Sequence, residues 1–372
     1  MSIEVVDAVN LARLAPFDGP AGLARRYLAS MITGGPARYI DNAKIHMEAL
    51  VIEEKILPLV ISDESEGNSN VCSAYAHYLE YAFQELARRY PRVPGSLLKP
   101  PRFLLGALLR GASIDRVVFV NNWLLTTNPR HGLSAAQIAA LSIYLTRRYP
   151  GSAIVFRSIN PLGDRTGLDA LQANNYLLIP SRRVYMLDAR DARFLQRSNA
   201  RNDLKQLRDT PFSIIDDPEI LVQHAQRLTT LYRDLYLGKY TPLNPQFNED
   251  FITLTLGERF LTYRALLEDG RVSAFSSYFI EGEVMTAALL GYDLNRPQSL
   301  GLYRLAFALV IAEAARRKAL LNMGAGSGTF KMFRGAVPIQ EYDAVYVRHL
   351  PLHRRLAWDA VRTVMRLGAL RT

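Results

Sequence analysis

The chain has 372 residues, 49% of them hydrophobic, which is enough for about two ordinary domains of roughly 100–200 residues each. Its single cysteine, Cys72, excludes an intramolecular disulfide and a zinc site built from cysteines, and we interpret it as a buried structural thiol. A net charge of +10 can attract phosphate-bearing partners such as coenzyme A, a nucleotide or tRNA, although basic chains also occur without such partners.

The N-terminus and the hydropathy pattern predict a soluble protein. Residues 1–7 include acidic side chains where a signal peptide needs basic ones, and no apolar run reaches the roughly 18 residues of a membrane span. We therefore expect a cytoplasmic protein without a transmembrane segment. The histidines lack the spacing of metal ligands, so we expect no metal site, and His77 most simply packs on a helix face.

The first half of the chain alternates between helix and strand patterns. Helices are predicted over 23–31, 72–88, 134–148 and 166–174, and strands over 45–52, 56–61, 116–121, 153–158 and 183–187. A Pro-rich segment over 91–101, with an extra helix, interrupts this order. The polar stretch over 188–211 contains the expected domain boundary, and residues 197–203 form either a solvated linker helix or an edge that binds phosphate.

The second half shows a clearer pattern. Helices are predicted over 219–237 and 247–256, followed by three strands over 260–267, 272–280 and 284–291. An Asp-Gly turn joins the first two of these strands. A long apolar helix over 300–317, a strand over 320–323, a short helical turn over 329–333 and a strand over 342–348 complete the order.

The most informative segment follows the strand over 320–323. It contains three glycines, Gly324, Gly326 and Gly328, and then two cations, Lys331 and Arg334. Glycine permits positive φ and close approach of a ligand, while fixed cations can hold an anion or a developing oxyanion. This combination predicts a functional site.

The order of elements over about 213–350 resembles the GNAT superfamily of N-acyltransferases, and most closely its branch similar to the Fem-type aminoacyltransferases. The residues that carry the resemblance are Gly291-Tyr-Asp293, Gly301-Leu-Tyr-Arg304, Leu321-Asn322, Phe330-Lys331, Arg334-Gly335 and Glu341-Tyr342. The resemblance implies an α/β fold with mixed sheets and two GNAT-like domains in tandem. These are a divergent N-terminal domain at 1–195, a linker at 196–212 and an acyltransferase domain at 213–372.

The resemblance also implies a donor site. In the ordinary family a loop wraps the pyrophosphate of coenzyme A at a helix N-terminus. Gln298 and Gly301 fit that loop, but Tyr303 replaces its last small residue, and Fem-type enzymes depart from the loop as well. The implied donor-binding residues are Gln298, Gly301, Arg304, Gly324, Gly326 and Gly328. No tightly bound cofactor is expected, and acyl-CoA, an acyl carrier protein and aminoacyl-tRNA all stay open as the donor.

Fem-type enzymes use a lysine in a Phe-Lys context to stabilise the tetrahedral intermediate, which implies this role for Lys331. The alternative is a surface cation. Arg334 suits a two-point clamp on a carboxylate or phosphate, or else pairs with Glu341. Strand alternation puts Glu341 and Asp343 on one face, and either carboxylate can serve as the base.

Further candidates lie at the ends of the predicted strands. Tyr303 can return a proton to the leaving group, while Tyr292 and Asp293 either bind substrate or serve as packing and capping residues. We expect the N-terminal domain to form the acceptor side of a cleft, or to be purely structural. The candidates there are Trp123, Asn128, Arg157 and Asn160.

Three functions follow as hypotheses. The first is an N-acyltransferase that joins an acyl group from acyl-CoA or an acyl carrier protein to an amine of a small metabolite or envelope precursor. The second is a Fem-like aminoacyltransferase that uses aminoacyl-tRNA. The third is a non-catalytic binding module. The sequence leaves the oligomeric state open.

Overall fold

The structure is a computed structural model that describes residues 2–15, 20–63, 66–89 and 95–370. Within these ranges, 12 strands form one mixed sheet. In chain order they are β1 (Ile3–Val6), β2 (His46–Ile52), β3 (Lys55–Ser62), β4 (Val117–Val120), β5 (Ala153–Ile159), β6 (Leu177–Asp188), β7 (Ser213–Ile215), β8 (Thr262–Glu268), β9 (Arg271–Glu281), β10 (Val284–Tyr292), β11 (Leu320–Asn322) and β12 (Val337–Tyr346).

Helices cover both faces of the sheet. They are α1 (Pro20–Gly34), α2 (Ala82–Arg89), α3 (Gly95–Gly111), α4 (Ala135–Arg148), α5 (Arg165–Ala173), α6 (Ser198–Arg208), α7 (Pro218–Leu221), α8 (Ala225–Arg233), α9 (Glu249–Gly257), α10 (Leu302–Arg317), α11 (Gly328–Met332) and α12 (Leu352–Leu370). Two π-helical segments, Ala76–Tyr81 and Asp234–Tyr240, precede α2 and follow α8. Part of the predicted Pro-rich insertion, residues 91–94, lies outside the described residues.

The two halves of the chain contribute interleaved strands to the sheet. The strand order is β1-β2-β3-β4-β5-β12-β6-β11-β10-β9-β8-β7. β12, from the end of the chain, therefore lies between β5 and β6, and it pairs antiparallel with both. The predicted mixed α/β class is confirmed. The sheet is continuous across the predicted domain boundary, and the domain bounds stay a prediction.

The predicted linker over 196–212 contains α6, which packs against α10. Ala200, Asp203 and Leu207 on this helix are buried. The segment over 197–203 is therefore helical but only partly solvated, because Ala200 and Asp203 are buried while its other residues are exposed or half-buried.

Most predicted elements form, with differences at their ends. The helix predicted over 219–237 is divided into α7, a 3₁₀ turn, α8 and the π-helical segment Asp234–Tyr240. β12 begins at Val337 rather than at 342, and its additional residues 337–340 pair with β6. β1 and β7 are missed in the sequence because strands this short show no alternation that can be recognised.

Three main clusters of side chains form the core. One extends along a single face of both halves, under α1, α8 and α9. On the opposite face, α10 and α6 cover the second half, and α4 and α5 cover the first. The segment Gln298–Arg317 is long and apolar enough to span a membrane by length and composition, but 56% of it is buried in the structure, which is typical of a core helix.

Candidate active site

The glycine-rich segment after β11 forms a tight loop. Gly324 and Gly326 have φ values of 70° and 73°, which glycine adopts without strain. Asn322 fixes the loop, because its Oδ1 accepts a hydrogen bond from the Gly324 N–H at 2.9 Å. At Gly328, a Cβ atom would clash with the Tyr185 hydroxyl oxygen, so a larger residue there would require the Tyr185 side chain to move. The three glycines thus shape the entry to α11.

Lys331, on α11, is 2% exposed and is therefore not a surface cation. Its Nζ donates hydrogen bonds to the carbonyl oxygens of Gly324 at 3.0 Å and Ala325 at 2.7 Å. Burial, together with the nearby positive charge of Arg182, lowers the pKa of Lys331 to about 7. The amino group is held in place by the loop, and it can gain or lose its proton near neutral pH.

Glu341, on β12, is 1% exposed and forms an ion pair with Arg182 of β6, whose Nε lies 2.6 Å from Glu341 Oε2. Arg182 also donates to the Thr127 hydroxyl at 2.7 Å. The second carboxylate oxygen, Oε1, has no hydrogen-bond partner among the residues that the structure describes. Burial raises the pKa of Glu341, and Arg182 offsets this only in part. Both the unpaired oxygen and the raised pKa suit a general base.

Asp343, the second candidate base, is surrounded by donors. Its Oδ2 accepts a hydrogen bond from the Tyr78 hydroxyl at 2.8 Å, and its Oδ1 accepts one from the Ser158 N–H at 3.2 Å. His77 Nε2 lies 3.5 Å from Oδ2, and burial lowers the pKa of His77 to about 4. Because both oxygens of Asp343 are engaged, Glu341 is the better placed of the two carboxylates to accept a proton.

Arg334 pairs with Asp203 rather than with Glu341 in the structure. Its Nε forms a buried ion pair with Asp203 of α6, and its Nη1 donates to the Phe330 carbonyl at 2.6 Å. Arg304, an implied donor-binding residue, lies with its Nη2 2.8 Å from the same carboxylate. The pair with Glu341 is therefore wrong, and the role of Arg334 as a clamp on substrate stays a prediction, since Asp203 is shared by two guanidinium groups.

β10 and β11 diverge beside this loop. They pair in parallel only over 284–286 and Leu320–Asn322, and β10 then continues to its end. Aromatic side chains lie next to the opening, where the Tyr303 ring centre is 5.6 Å from that of Tyr292 and 4.8 Å from that of Phe330. Burial raises the pKa of Tyr303 to about 12, so its hydroxyl keeps its proton at neutral pH.

No protein-family model and no curated protein matches this chain. Among solved structures, FemX superposes with a TM-score of 0.51 and 8% identity over 89% of this chain and 93% of FemX. The C-terminal domain of a lysylphosphatidylglycerol synthetase from Agrobacterium fabrum gives 0.45 and 12% over 67% of this chain and 81% of that one. A tandem GNAT protein from the clavulanic acid biosynthesis pathway gives 0.37 and 12% over 93% and 98%.

The chain has a tandem GNAT-like fold. The predicted fold is confirmed by the similarity to FemX, which extends over nearly the whole of both chains. At 8% identity this likeness concerns the fold alone, and substrates have to be inferred from the residues of this chain.

In this GNAT-like fold, the start of α10 is covered by α6. Gly301 has a φ of 64°, and a Cβ atom there would lie 2.8 Å from Gln206 Nε2. Gln206 also donates to the Leu300 carbonyl at 3.2 Å. Gln298 is exposed at the edge of this turn. The helix N-terminus that would hold a pyrophosphate is therefore closely approached by a side chain of the protein itself.

Asp293, at the end of β10, is engaged within the protein. Its carboxylate accepts a hydrogen bond from Arg227 Nη2 at 2.6 Å and one from the Asn295 N–H at 3.0 Å. Burial raises the pKa of Asp293, but these hydrogen bonds outweigh it, so the net shift is downward. Asp293 therefore holds a turn and an ion pair rather than a helix N-terminus, and its role in binding substrate stays a prediction. Tyr292 lies nearer the opening, with its hydroxyl 3.5 Å from Lys239 Nζ.

Three of the four candidates in the N-terminal half meet at one polar cavity. Asn128, Arg157 and Asn160 line it together with Thr286 and Asn322 from the second half. Asn322 also holds the Lys331 loop, so the cavity adjoins the candidate catalytic centre. Trp123 lies elsewhere, since its ring stacks on Phe260 at 5.2 Å and its Nε1 donates to Asn121 Oδ1 at 2.7 Å.

Sequence reasoning missed several members of the site. Arg182, Tyr78 and Asp203 each contact a candidate residue, yet none belongs to a motif. Their partners lie far away in the sequence, as Tyr78 and Asp343 do at a separation of 265 residues. Arg182 lies just before the strand predicted over 183–187 and Asp203 lies in the predicted linker, so no sequence signal marked either of them.

Proposed function

We propose that this protein transfers an acyl group from an activated donor to an amine, with Lys331 stabilising the tetrahedral oxyanion. One observation carries the proposal. The buried Lys331 ammonium donates to the carbonyl oxygens of Gly324 and Ala325, and an ammonium has three N–H donors. The third N–H is left for an oxygen that becomes negatively charged only during the reaction.

The reaction follows from the neighbouring groups. The amine nitrogen attacks the carbonyl carbon of a thioester or ester, a C–N bond forms, and the carbonyl oxygen becomes an oxyanion beside Lys331. Glu341 accepts the proton that the attacking nitrogen loses. Collapse of the intermediate breaks the C–S or C–O bond, the leaving group takes a proton from the Tyr303 hydroxyl, and the proton on Glu341 passes through solvent to the Tyr303 phenolate. The products are an amide and a free thiol or alcohol.

The acceptor in this proposal is an amine of a small metabolite or envelope precursor, and the donor is acyl-CoA or an acyl carrier protein. The divergence of β10 and β11 supports a thioester arm, because the unpaired backbone of β10 can bind an extended ligand. A Fem-like use of aminoacyl-tRNA is the second candidate. Two features favour it. The Gln206 side chain packs beside Gly301 and leaves less space for a pyrophosphate at the start of α10, and the net charge is +10.

The test uses three donors in parallel: acetyl-CoA, an acetylated carrier protein and a charged tRNA pool, each with a mixture of amines. Amide products are measured by mass spectrometry. We expect Lys331→Ala to abolish turnover while the protein stays folded, and Lys205→Ala, which removes an exposed lysine on α6, to leave turnover unchanged. A folded wild-type protein that binds one of the donors but transfers nothing would instead support a binding module.

A further inference from the structure

A small polar cavity lies between the two halves, with room for about two water-sized groups. It lies among the segment over 121–131, the end of β5, and the adjacent parts of β9, β10 and β11. A space of this size suits one small polar group, such as a carboxylate, rather than a whole ligand. Three of its lining side chains, Asn128, His131 and Arg157, are each more than nine-tenths buried and each carry a nitrogen atom without a hydrogen-bond partner among the described residues.

The side-chain amide of Asn128 is oriented so that its NH₂ group has no described partner. Its Oδ1 accepts a hydrogen bond from the Trp123 N–H at 3.0 Å. That bond fixes which side of the amide faces the backbone. The Nδ2 group, with two N–H donors, has no partner in the described part of the chain.

Arg157 is a buried cation that forms no ion pair within 4.0 Å with any described carboxylate, and its Nη1 makes no hydrogen bond to a described residue. The nearest acidic side chains on β12 are committed to other groups, since Glu341 pairs with Arg182 and Asp343 accepts from Tyr78. Burial lowers the pKa of Arg157, and the negative charges of Asp343 and Glu341 offset this only in part, so an anion bound directly to the guanidinium would stabilise it further.

His131 adds a third donor. Its Nδ1 accepts a hydrogen bond from the Leu133 N–H at 3.0 Å, so the neutral ring carries its proton on Nε2. That atom has no hydrogen-bond partner in the described ranges and lies 3.8 Å from Asp164 Oδ2. Burial lowers the pKa of His131, which favours the neutral ring.

The two carboxylates that line the cavity do not neutralise Arg157. Asp164 accepts a hydrogen bond from the Gly167 N–H at 3.0 Å, as the cap of α5. Glu281 accepts one from the Arg130 N–H at 2.5 Å and lies 3.6 Å from Arg130 Nε. Each carboxylate has a donor of its own, and the buried nitrogens of Asn128, His131 and Arg157 that lack a described partner are all donors.

We propose that this cavity binds a carboxylate of the acceptor, through Arg157 and Asn128, and that the acceptor is a small amino acid or an amine that carries a carboxylate. The inference rests on the proposed function for the amine, while the carboxylate follows from the cavity alone. Asn322 lines the cavity and holds Gly324, whose carbonyl accepts from Lys331. A molecule anchored here by its carboxylate lies beside the loop that holds Lys331.

The test is calorimetric titration of the full chain, without any donor, using the free L-amino acids and succinate. For each compound that binds, the matching carboxamide and inorganic phosphate are titrated next. We expect at least one free acid to bind, its carboxamide to bind at least tenfold more weakly, and phosphate to compete weakly. The proposal is overturned if no free acid binds, if acid and carboxamide bind equally, or if phosphate binds more tightly than every acid.

Variants separate this inference from the proposed chemistry. Asn128→Asp keeps the oxygen that accepts from Trp123 but replaces the donor with a negative charge, so we expect at least a tenfold loss of acid binding in a folded protein. Arg157→Lys keeps the charge and should bind more weakly, and Arg157→Met should not bind. Lys331→Ala should bind the acid as the wild type does.

If Lys331→Ala keeps turnover while Asn128→Asp loses acid binding, the proposed mechanism fails and the carboxylate site stands. Unchanged acid binding in Asn128→Asp and Arg157→Met would contradict the site.

Discussion

The guanidinium of Arg334 and the carboxylate of Asp203 form an ion pair whose side chains are 5% and 1% exposed. Arg304 contacts the same carboxylate from α10. One acidic residue of α6 therefore joins the helix that carries Lys331 to the helix that follows the donor loop. The stretch that the sequence indicated as a linker is part of the support of the site.

Replacing Asp203 by Asn should destabilise the protein strongly. The change leaves Arg334 as a buried cation without its counterion, and breaking a buried pair costs about 3–5 kcal/mol. The free energy of unfolding, measured by urea titration with circular dichroism, should fall by that amount. Asp209→Asn, at the exposed end of the same helix, is the matched control and should change it by less than about 0.5 kcal/mol. A similar small change in both variants would show that the pair does not support the fold.

The sequence predicted the second half of the chain well because its signals are local. The meander of β8, β9 and β10 follows from alternation and an Asp-Gly turn, and the Lys331 loop follows from its glycines. The insertion of β12 between β5 and β6 was not predictable, because alternation fixes which face a residue occupies but not which strand lies beside it. Arg182 was missed for this reason, since it meets Glu341 only through that pairing.

The rate of transfer should depend on the protonation of Lys331. Its pKa of about 7 means that the ammonium form, which stabilises the oxyanion, is lost as the pH rises above 7. With hydroxylamine as a weakly basic acceptor, kcat/KM should therefore fall across that range. Lys331→Arg, whose cation stays protonated, should abolish this fall in whatever activity it retains. A profile that rises steadily to pH 9 in the wild type would contradict the role of the ammonium.

The same pKa should appear in the stability of the protein. Folding lowers the pKa of Lys331 from 10.5 to about 7, so the unfolded chain binds more protons between these pH values. The free energy of unfolding of the wild type should thus rise with pH relative to that of Lys331→Met, by roughly 1.4 kcal/mol for each pH unit. Urea titrations of both proteins at pH 7, 8 and 9 test this. A constant difference would mean that Lys331 has an ordinary pKa in the folded state.

The two buried carboxylates of β12 should respond differently to loss of charge. Glu341 has one oxygen without a described partner, whereas both oxygens of Asp343 accept hydrogen bonds. We therefore expect Glu341→Gln to lower kcat by about 10²–10⁴-fold, the usual contribution of a general base. Asp343→Asn should lower kcat much less, and should chiefly reduce stability through the contacts with Tyr78 and Ser158.

Glu341→Gln also leaves Arg182 without its counterion, and a loss of stability alone could then lower the rate. Urea titration separates the two effects, because an intact but inactive protein points to chemistry. The pH profile gives a second separation. If Glu341 is the base, its raised pKa gives the wild-type kcat a rising limb at acidic pH, and Glu341→Gln should remove that limb. If the limb persists in Glu341→Gln and disappears in Asp343→Asn, the assignment of the base reverses, and the hydrogen bonds of Asp343 would then have to open when substrate binds.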